Sequence, residues 1–186
     1  MKASGQIRIK RKIAARYAKA LWKAAGEHKT LEDTHACLLN INDLIENSAE
    51  LRLILENPEV PHEKKEALLR GVFEGEVPAI VYRLLLLLHD KDRLNILKEV
   101  CFQFHQLYLL ENKILEAEVT SAGDLEEDQI KDIVGRLEKR FRQKVVPSAA
   151  TDPRLLGGFR VRVRDEVCDY SVKFHLEKFR ERLLNS

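Results

Sequence analysis

A chain of 186 residues, of which 45% are hydrophobic and 33% are charged, has enough apolar material for one ordinary core or two small ones. A formal net charge of only +2, combined with that hydrophobic content, excludes a wholly disordered chain. The three cysteines, Cys37, Cys101 and Cys168, are odd in number and form no CxxC pair, which excludes a disulfide framework and a typical zinc site.

The first predicted helix has one apolar face and stops at a glycine. Its apolar residues follow the i, i+4, i+8 and i+11 positions on one side of a helix: Ile13, Tyr17, Leu21 and Ala24. Alanines widen this face and would let another helix approach closely. Gly26 is predicted to end the helix. A second helix is predicted over 30–48, with Thr30 as its N-cap and Asp33 three residues later, as in a capping box.

Four more helices are predicted before residue 113. A short apolar helix over 51–55 ends at Asn57-Pro58, and a fourth helix follows the next proline. The fifth, over 79–90, is apolar nearly all round, which is typical of a helix at the centre of a bundle or beneath a partner. The sixth is predicted over 94–111. Six helices with short connections predict an antiparallel bundle over residues 1–112.

Residues 113–186 predict a second, smaller domain. Residues 114–120 alternate between apolar and polar side chains, as a half-buried strand does. The remaining predicted elements are a helix over 125–141, strands over 144–149 and 159–163, and a closing amphipathic helix over 172–184. Gly157-Gly158 precede the last strand and predict a bend or a close backbone approach. The fold class is therefore mostly α, with a six-helix bundle followed by a small α+β domain.

The charges are distributed unevenly along the chain. Residues 1–26 contain eight Lys or Arg and no Asp or Glu, whereas residues 31–60 contain seven Asp or Glu and only Arg52 as a basic residue. A basic segment suggests nucleic-acid binding, but aromatic residues are few there and an acidic helix follows. We therefore predict no nucleic-acid partner, and keep a basic nucleic-acid-binding protein or a general scaffold as the alternative function.

No motif for catalysis, nucleotide binding or metal binding occurs in the sequence. The six histidines show no HExxH spacing, and there is no GxGxxG, Walker loop or GxSxG. Cys101 and His105 share a helical face at i, i+4, which would suit a thiolate pair. That spacing far more often reflects core packing beside a surface histidine. We predict no catalytic residue, no cofactor and no metal.

Five short blocks occur in order along nearly the whole chain. The first is Ala15-Arg16-Tyr17-Ala18-Lys19-Ala20-Leu21. The others are Asn57-Pro58 with Glu63-Lys64-Lys65; Lys91-Asp92-Arg93-Leu94; Val119-Thr120-Ser121-Ala122 with Leu125 and Gln129; and Asp152-Pro153-Arg154-Leu155-Leu156-Gly157-Gly158-Phe159 with Asp165, Val167, Asp169 and Ser171-Val172. Each block alone is weak, but together, at these separations, they resemble the ATP synthase delta family, known in mitochondria as the oligomycin-sensitivity-conferring protein.

Three positions depart from the pattern of that family. Asp92 and Tyr170 stand where the family usually has glycine. Arg164 stands where a glycine normally begins a Gly-Asp hairpin turn, and such turns favour glycine because the backbone is left-handed there. The sequence leaves open whether Arg164-Asp165 keeps the turn.

The resemblance implies a stator subunit without an active site of its own. It would link the catalytic head of an F-type ATP synthase to the peripheral stalk and resist rotor torque during proton-driven ATP synthesis. In the family, an N-terminal helical segment of an alpha subunit lies between the first and fifth helices, and the C-terminal domain meets the C-terminal ends of the b subunits. By position, the predicted alpha-subunit contacts are Tyr17, Ala20, Leu21, Leu84, Leu87 and Leu88. The predicted stalk contacts are Val172, Leu176, Phe179 and Leu183.

No membrane-spanning helix is predicted from the sequence. The apolar run over 80–88 is interrupted by Arg83 and is far shorter than the roughly 20 residues of a membrane helix. The basic first helix has features of a mitochondrial transit peptide, but it is poor in Ser and contains the first family block.

We expect one copy in a hetero-oligomer at the cytoplasmic face of the bacterial inner membrane, held there only through the complex. Residues 8–12 and the row Arg160, Arg162 and Arg164 would add steering toward acidic partner segments, but the arginine row fits an exposed strand face better than a defined binding row.

Overall fold

The computed structural model describes residues 2–184, with side chains described from residue 8 to residue 180. The chain divides into two compact units, one ending at Tyr108 and the other beginning at Leu109. The sequence placed this division a few residues later, between 112 and 113. Each unit is built around its own hydrophobic cluster.

Six helices build the first unit within the described residues, as the sequence predicted. They are α1 (Lys2–Glu27), α2 (Leu31–Asn47), α3 (Ala49–Glu56), α4 (His62–Phe73), α5 (Ala79–Asp90) and α6 (Leu97–Glu111), with a 3-10 turn over Leu94–Ile96 before α6. Each helix contributes a buried side chain to one core, for example Ala18, Leu38, Leu55, Leu69, Leu85 and Phe104. Burying one large apolar side chain stabilises a fold by roughly 1.5–3 kcal/mol. The predicted helical bundle is confirmed.

The start of α2 differs from the prediction. Thr30 is the N-cap residue, but its backbone conformation (φ −117°, ψ 25°) is not the extended one from which a side chain caps a helix. Its hydroxyl is buried without a hydrogen-bond partner among the described residues. The chain reverses instead at Lys29, whose φ is 56°. Ser48, predicted as the last residue of α2, caps α3 by accepting a hydrogen bond of 3.2 Å from the backbone N–H of Leu51.

The second unit is a mixed sheet with two helices. Its elements are β1 (Ile114–Ser121), α7 (Glu127–Phe141), β2 (Lys144–Thr151), a 3-10 turn (Pro153–Leu155), β3 (Phe159–Val163), β4 (Glu166–Asp169) and α8 (Val172–Leu184). The strand order is β2-β1-β3-β4. Strands β1 and β2 are parallel and are joined through α7, whereas β3 is antiparallel to both β1 and β4. The sequence had not predicted β4.

One face of this sheet packs against α7. Residues at alternate positions of the strands are buried there with one side of the helix: Leu115, Ala117, Val119, Val161, Val163, Ile133 and Leu137. The helix begins with a capping box, in which the backbone N–H of Glu126 donates a hydrogen bond of 3.0 Å to Gln129 Oε1. The small α+β domain predicted from the sequence is therefore confirmed.

Several connections of this fold contain residues whose backbone is left-handed, with positive φ. Gly158 has φ +74°, and a Cβ atom there would collide with the backbone carbonyl oxygen of Tyr170, which confirms the predicted close backbone approach. Arg164 has φ +53°, and Val163 pairs with Glu166 across the turn, so Arg164-Asp165 keeps the hairpin. Asp92 also has φ +53°. Two of the three positions where the family usually has glycine thus keep a left-handed backbone.

Candidate docking surfaces

Helices α1 and α5 lie side by side in opposite directions. At the end of α5, Arg93 Nη1 donates a hydrogen bond of 3.0 Å to the hydroxyl of Tyr17 in α1. At the other end, His28 and Thr30, close to the end of α1, line one pocket with Ile80 at the start of α5. The middle of α1 therefore lies near the end of α5, and the end of α1 lies near the start of α5.

Half of the predicted alpha-subunit contacts lie in the core of the bundle. Leu21, Leu84 and Leu88 are all buried, which corrects their assignment to a docking surface. The physical reason is the phase of α5. Leu84 and Leu88 continue a stripe with Val81 and Leu85 that faces the bundle, because residues three and four apart lie on one side of a helix.

The other three predicted contacts reach the surface. Ala20 is exposed, Tyr17 is half-buried, and Leu87 is 45% exposed. They are joined by Ile80 and Arg83, which the sequence analysis did not select. We call Tyr17, Ala20, Ile80, Arg83 and Leu87 the α1–α5 surface. Ile80, Arg83 and Leu87 are spaced i, i+3 and i+7, so helical periodicity was the signal that would have found the two missed residues.

A pocket of about 340 Å³ closes one end of the α1–α5 surface. It is lined by His28, Thr30, Pro78, Ala79, Ile80 and Arg83. None of these lining side chains is acidic, and Arg83 carries a full positive charge. The first turn of α5 also contributes the positive end of its helix dipole. This end of the surface favours an acidic or carbonyl group on whatever binds.

The last helix carries an apolar stripe on its outer side. Val172, Leu176 and Phe179 are spaced i, i+4 and i+7 and are all exposed. Leu183, the fourth predicted stalk contact, lies outside the described side chains. The helix is anchored at its start by Ser171, which is buried and whose Oγ accepts a hydrogen bond of 3.2 Å from the backbone N–H of Phe174.

The predicted arginine row is largely engaged within the sheet. Arg160 Nη2 lies 2.7 Å from Asp169 Oδ2, and Arg162 Nη1 lies 3.9 Å from Glu118 Oε2. Burial opposes ionisation of Asp169, but hydrogen bonds from Ser171 and Arg160 outweigh it, so the pKa of this carboxyl lies below its usual value. Two of the three arginines thus serve cross-strand ion pairs, which leaves less charge for steering a partner.

The Cys101 thiol is buried in the core of the first unit. Burial raises the pKa of the Cys101 thiol to about 12, so this thiol is protonated at neutral pH and does not act as a nucleophile. The ring of His105 meets His35, with His105 Nδ1 and His35 Nε2 2.8 Å apart.

Over the part of the chain that is described, no cluster of three or more His, Cys, Asp or Glu is arranged to hold a metal ion. None of the described helices combines the length and apolar content needed to cross a bilayer.

Sequence comparisons point to one family. The family model described as ATP synthase delta (OSCP) subunit matches residues 13–183. ATP synthase subunit delta of Clostridium perfringens is 32% identical over 169 residues, covering 91% of this chain and 94% of the relative. The same subunit of Cupriavidus taiwanensis is 32% identical over 165 residues, covering 88% of this chain and 91% of the relative.

A structural comparison agrees with the sequence matches. A chain in the cryo-EM structure of the Toxoplasma gondii mitochondrial ATP synthase hexamer superposes with a TM-score of 0.70. The match covers 92% of this chain and 97% of that chain, at 24% sequence identity. At this identity, the likeness concerns the fold.

Proposed function

The chain belongs to the ATP synthase delta (OSCP) subunit family, and from this premise we propose that it is the stator subunit that links the catalytic head of an F-type ATP synthase to the peripheral stalk. The observation that carries the proposal is a pair of separate apolar surfaces. One is the α1–α5 surface in the first unit, and the other is the stripe of α8 in the second. A linker needs two such surfaces, because it has to bind two partners at the same time.

On the head side, the proposed occupant is the N-terminal segment of an alpha subunit. A helical segment that places apolar side chains over Leu87 and Ile80 would use a common mode of helix recognition, in which an apolar face lies in an apolar groove. Ala20 supports close approach because its side chain is small. Arg83 favours an acidic residue on the same segment.

On the stalk side, the proposed occupants are the C-terminal ends of the b subunits. Val172, Leu176 and Phe179 present one continuous apolar face on α8, which would pack against a helix of the stalk. Burial of apolar surface supplies roughly 25 cal/mol per Å², although ordering of the partners consumes a large part of it.

The role requires no chemistry from this chain. Its work is mechanical, because the two contacts have to hold while the rotor turns. We place one copy per complex, peripheral to the membrane and attached only through the other subunits, at the cytoplasmic face of a bacterial inner membrane. The curated relatives named above are bacterial, which supports that location. Nucleic-acid binding is not favoured, because Arg83 is the only basic residue of the α1–α5 surface and its other members are apolar or aromatic.

Leu176→Asp is expected to weaken binding of the soluble part of the b subunits by about 20-fold. The exposed leucine loses its apolar contact and a carboxylate is desolvated in its place. Microscale thermophoresis with the purified b-subunit fragment measures the loss. Lys178→Asn changes the net charge by the same amount on the same helix, on the side where Lys178 lies over the ring of Phe174, and should leave affinity within about twofold of wild type. Equal affinity of wild type and Leu176→Asp would remove α8 from the stalk contact.

A further inference from the structure

A second apolar pocket lies on the other side of Pro78. It has a volume of about 450 Å³ and is formed between α2 and the connection from α4 to α5. We call it the α2 pocket. Its lining is Asp33, Ala36, Cys37, Asn40, Ile41, Leu44, Val72, Phe73, Glu76, Val77 and Pro78. Leu44 is 42% exposed there, whereas Leu38, Ile41 and Ile45 of the same helix are buried in the core.

The charge of the α2 pocket is opposite to that of the pocket beside α5. Asp33 and Glu76 are its only charged lining residues, and neither forms an ion pair with another residue between 8 and 180. The pocket beside α5 has Arg83 and His28 and no acid. One apolar surface is therefore rimmed with positive charge and the other with negative charge.

The two pockets adjoin at one residue. Pro78 lines both of them, and it is also the N-cap residue of α5. Ile80 and Pro78 line the pocket beside α5, and Pro78 and Val77 line the α2 pocket, so a segment passing Ile80 needs to cross only Pro78 to reach the α2 pocket. Along α2, the pocket extends from Asp33 to Leu44, which at 1.5 Å per residue is about 16 Å, or roughly three helical turns.

We propose that the partner segment on the α1–α5 surface continues over Pro78 and fills the α2 pocket. This inference rests on the proposed function, and it adds the length and the charge pattern of the alpha-subunit segment. The part over Arg83 is acidic, and the part over Asp33 and Glu76 is basic with an apolar face toward Leu44. Two apolar pockets of opposite charge, joined at one residue, fit a single segment whose own charge reverses along its length.

Leu44→Lys tests this extension in the purified full chain. A lysine near the end of α2 is compatible with the helix, but it places a charge in the apolar pocket and repels a basic partner. Affinity for the purified catalytic head of the same synthase should fall about tenfold by calorimetry. Leu53→Lys is the matched control, because Leu53 is 62% exposed on α3 and lines neither pocket. It should leave affinity within about twofold of wild type.

Glu76→Lys tests the charge of the segment separately. It should weaken binding several-fold at low salt, and the difference from wild type should shrink as salt is raised. Equal binding of Glu76→Lys and wild type at low salt would refute a basic segment.

Unchanged affinity of Leu44→Lys, with Leu87→Asp weakened, would refute the extension while leaving the proposed function intact. Unchanged affinity of Leu44→Lys and Leu87→Asp together would contradict the proposed function, and equal losses for Leu44→Lys and Leu53→Lys would refute the α2 pocket as a specific contact.

Discussion

Leu87→Asp is expected to lower the affinity of the chain for the catalytic head by about 100-fold, which corresponds to ~2.7 kcal/mol. Leu87 is 45% exposed on the α1–α5 surface, so the substitution costs the folded chain little. In the complex, the variant loses the burial of a leucine and leaves a carboxylate without water or a partner. Calorimetry with the purified head measures the affinity, and far-UV circular dichroism checks that helicity is unchanged.

The neighbouring residue gives the sharpest control. Leu88 is 0% exposed, and Leu88→Asp should destabilise the bundle by about 4 kcal/mol or more, because an unpaired carboxylate would be placed in the core. Leu53→Asp, on an exposed site of α3, should change neither affinity nor stability. If Leu87→Asp unfolds the bundle as Leu88→Asp does, Leu87 belongs to the core and the α1–α5 surface is not a docking surface.

Gly158→Ala is expected to destabilise the second unit by roughly 3 kcal/mol. The new Cβ atom would collide with the carbonyl oxygen of Tyr170 and crowd the Cα atom of Ser171, in a backbone conformation that alanine rarely adopts. The neighbouring connections are tight as well. The backbone N–H of Val172 donates a hydrogen bond of 2.9 Å to Gly157 O, so a shift of this segment also moves the start of α8.

Gly135→Ala is the matched control for this substitution. Gly135 lies within α7, and a Cβ atom there would have no neighbour within 4 Å. This variant should gain up to about 1 kcal/mol, because alanine favours a helix. Hydrogen exchange of the amides in β1 and β3 measures both effects in the full chain. The sole tryptophan, Trp22, reports on the first unit and should not respond. Protection in Gly158→Ala equal to wild type would contradict the predicted collision.

The bounds of several elements could be predicted because their ends are marked locally. Helix α5 occupies Ala79–Asp90 and α8 occupies Val172–Leu184, both as predicted. In α5 the signal is Pro78, which favours a helix start directly after it. Strand β3 alternates arginine with apolar residues, and this period-two pattern gave both its bounds and its buried face.

The outward face of α5 is marked only outside its leucine run. Residues 84–88 are all leucine, so the run itself does not indicate which side faces solvent. Arg83, one turn before Leu87, is the polar position that marks the exposed side, and the packing of the bundle buries Leu84 and Leu88 on the other side. Family position selected all three, with the one-turn spacing of Leu84 and Leu87 as further support, and the burial of Leu84 and Leu88 corrects this selection.

Contacts between distant residues account for most of what was missed. The hydrogen bond from Arg93 to Tyr17 joins residues far apart in sequence, and it shows the direction in which α1 and α5 pack. His62 similarly links α4 to the end of α5 through His89. The failed cap at Thr30 has a local cause instead, since the left-handed turn at the preceding residue, Lys29, decides how α2 begins. A residue type alone does not reveal such a turn, because lysine rarely adopts it.

The bridging of head and stalk by one copy of this chain is the central claim, and sedimentation velocity tests it most directly. The purified head, the full chain and the soluble part of the b subunits are mixed in equal amounts, with each pair as a reference. The account predicts a faster-sedimenting complex that contains all three components and disappears when the chain is omitted. Displacement of the b subunits by the head, or of the head by the b subunits, would contradict it.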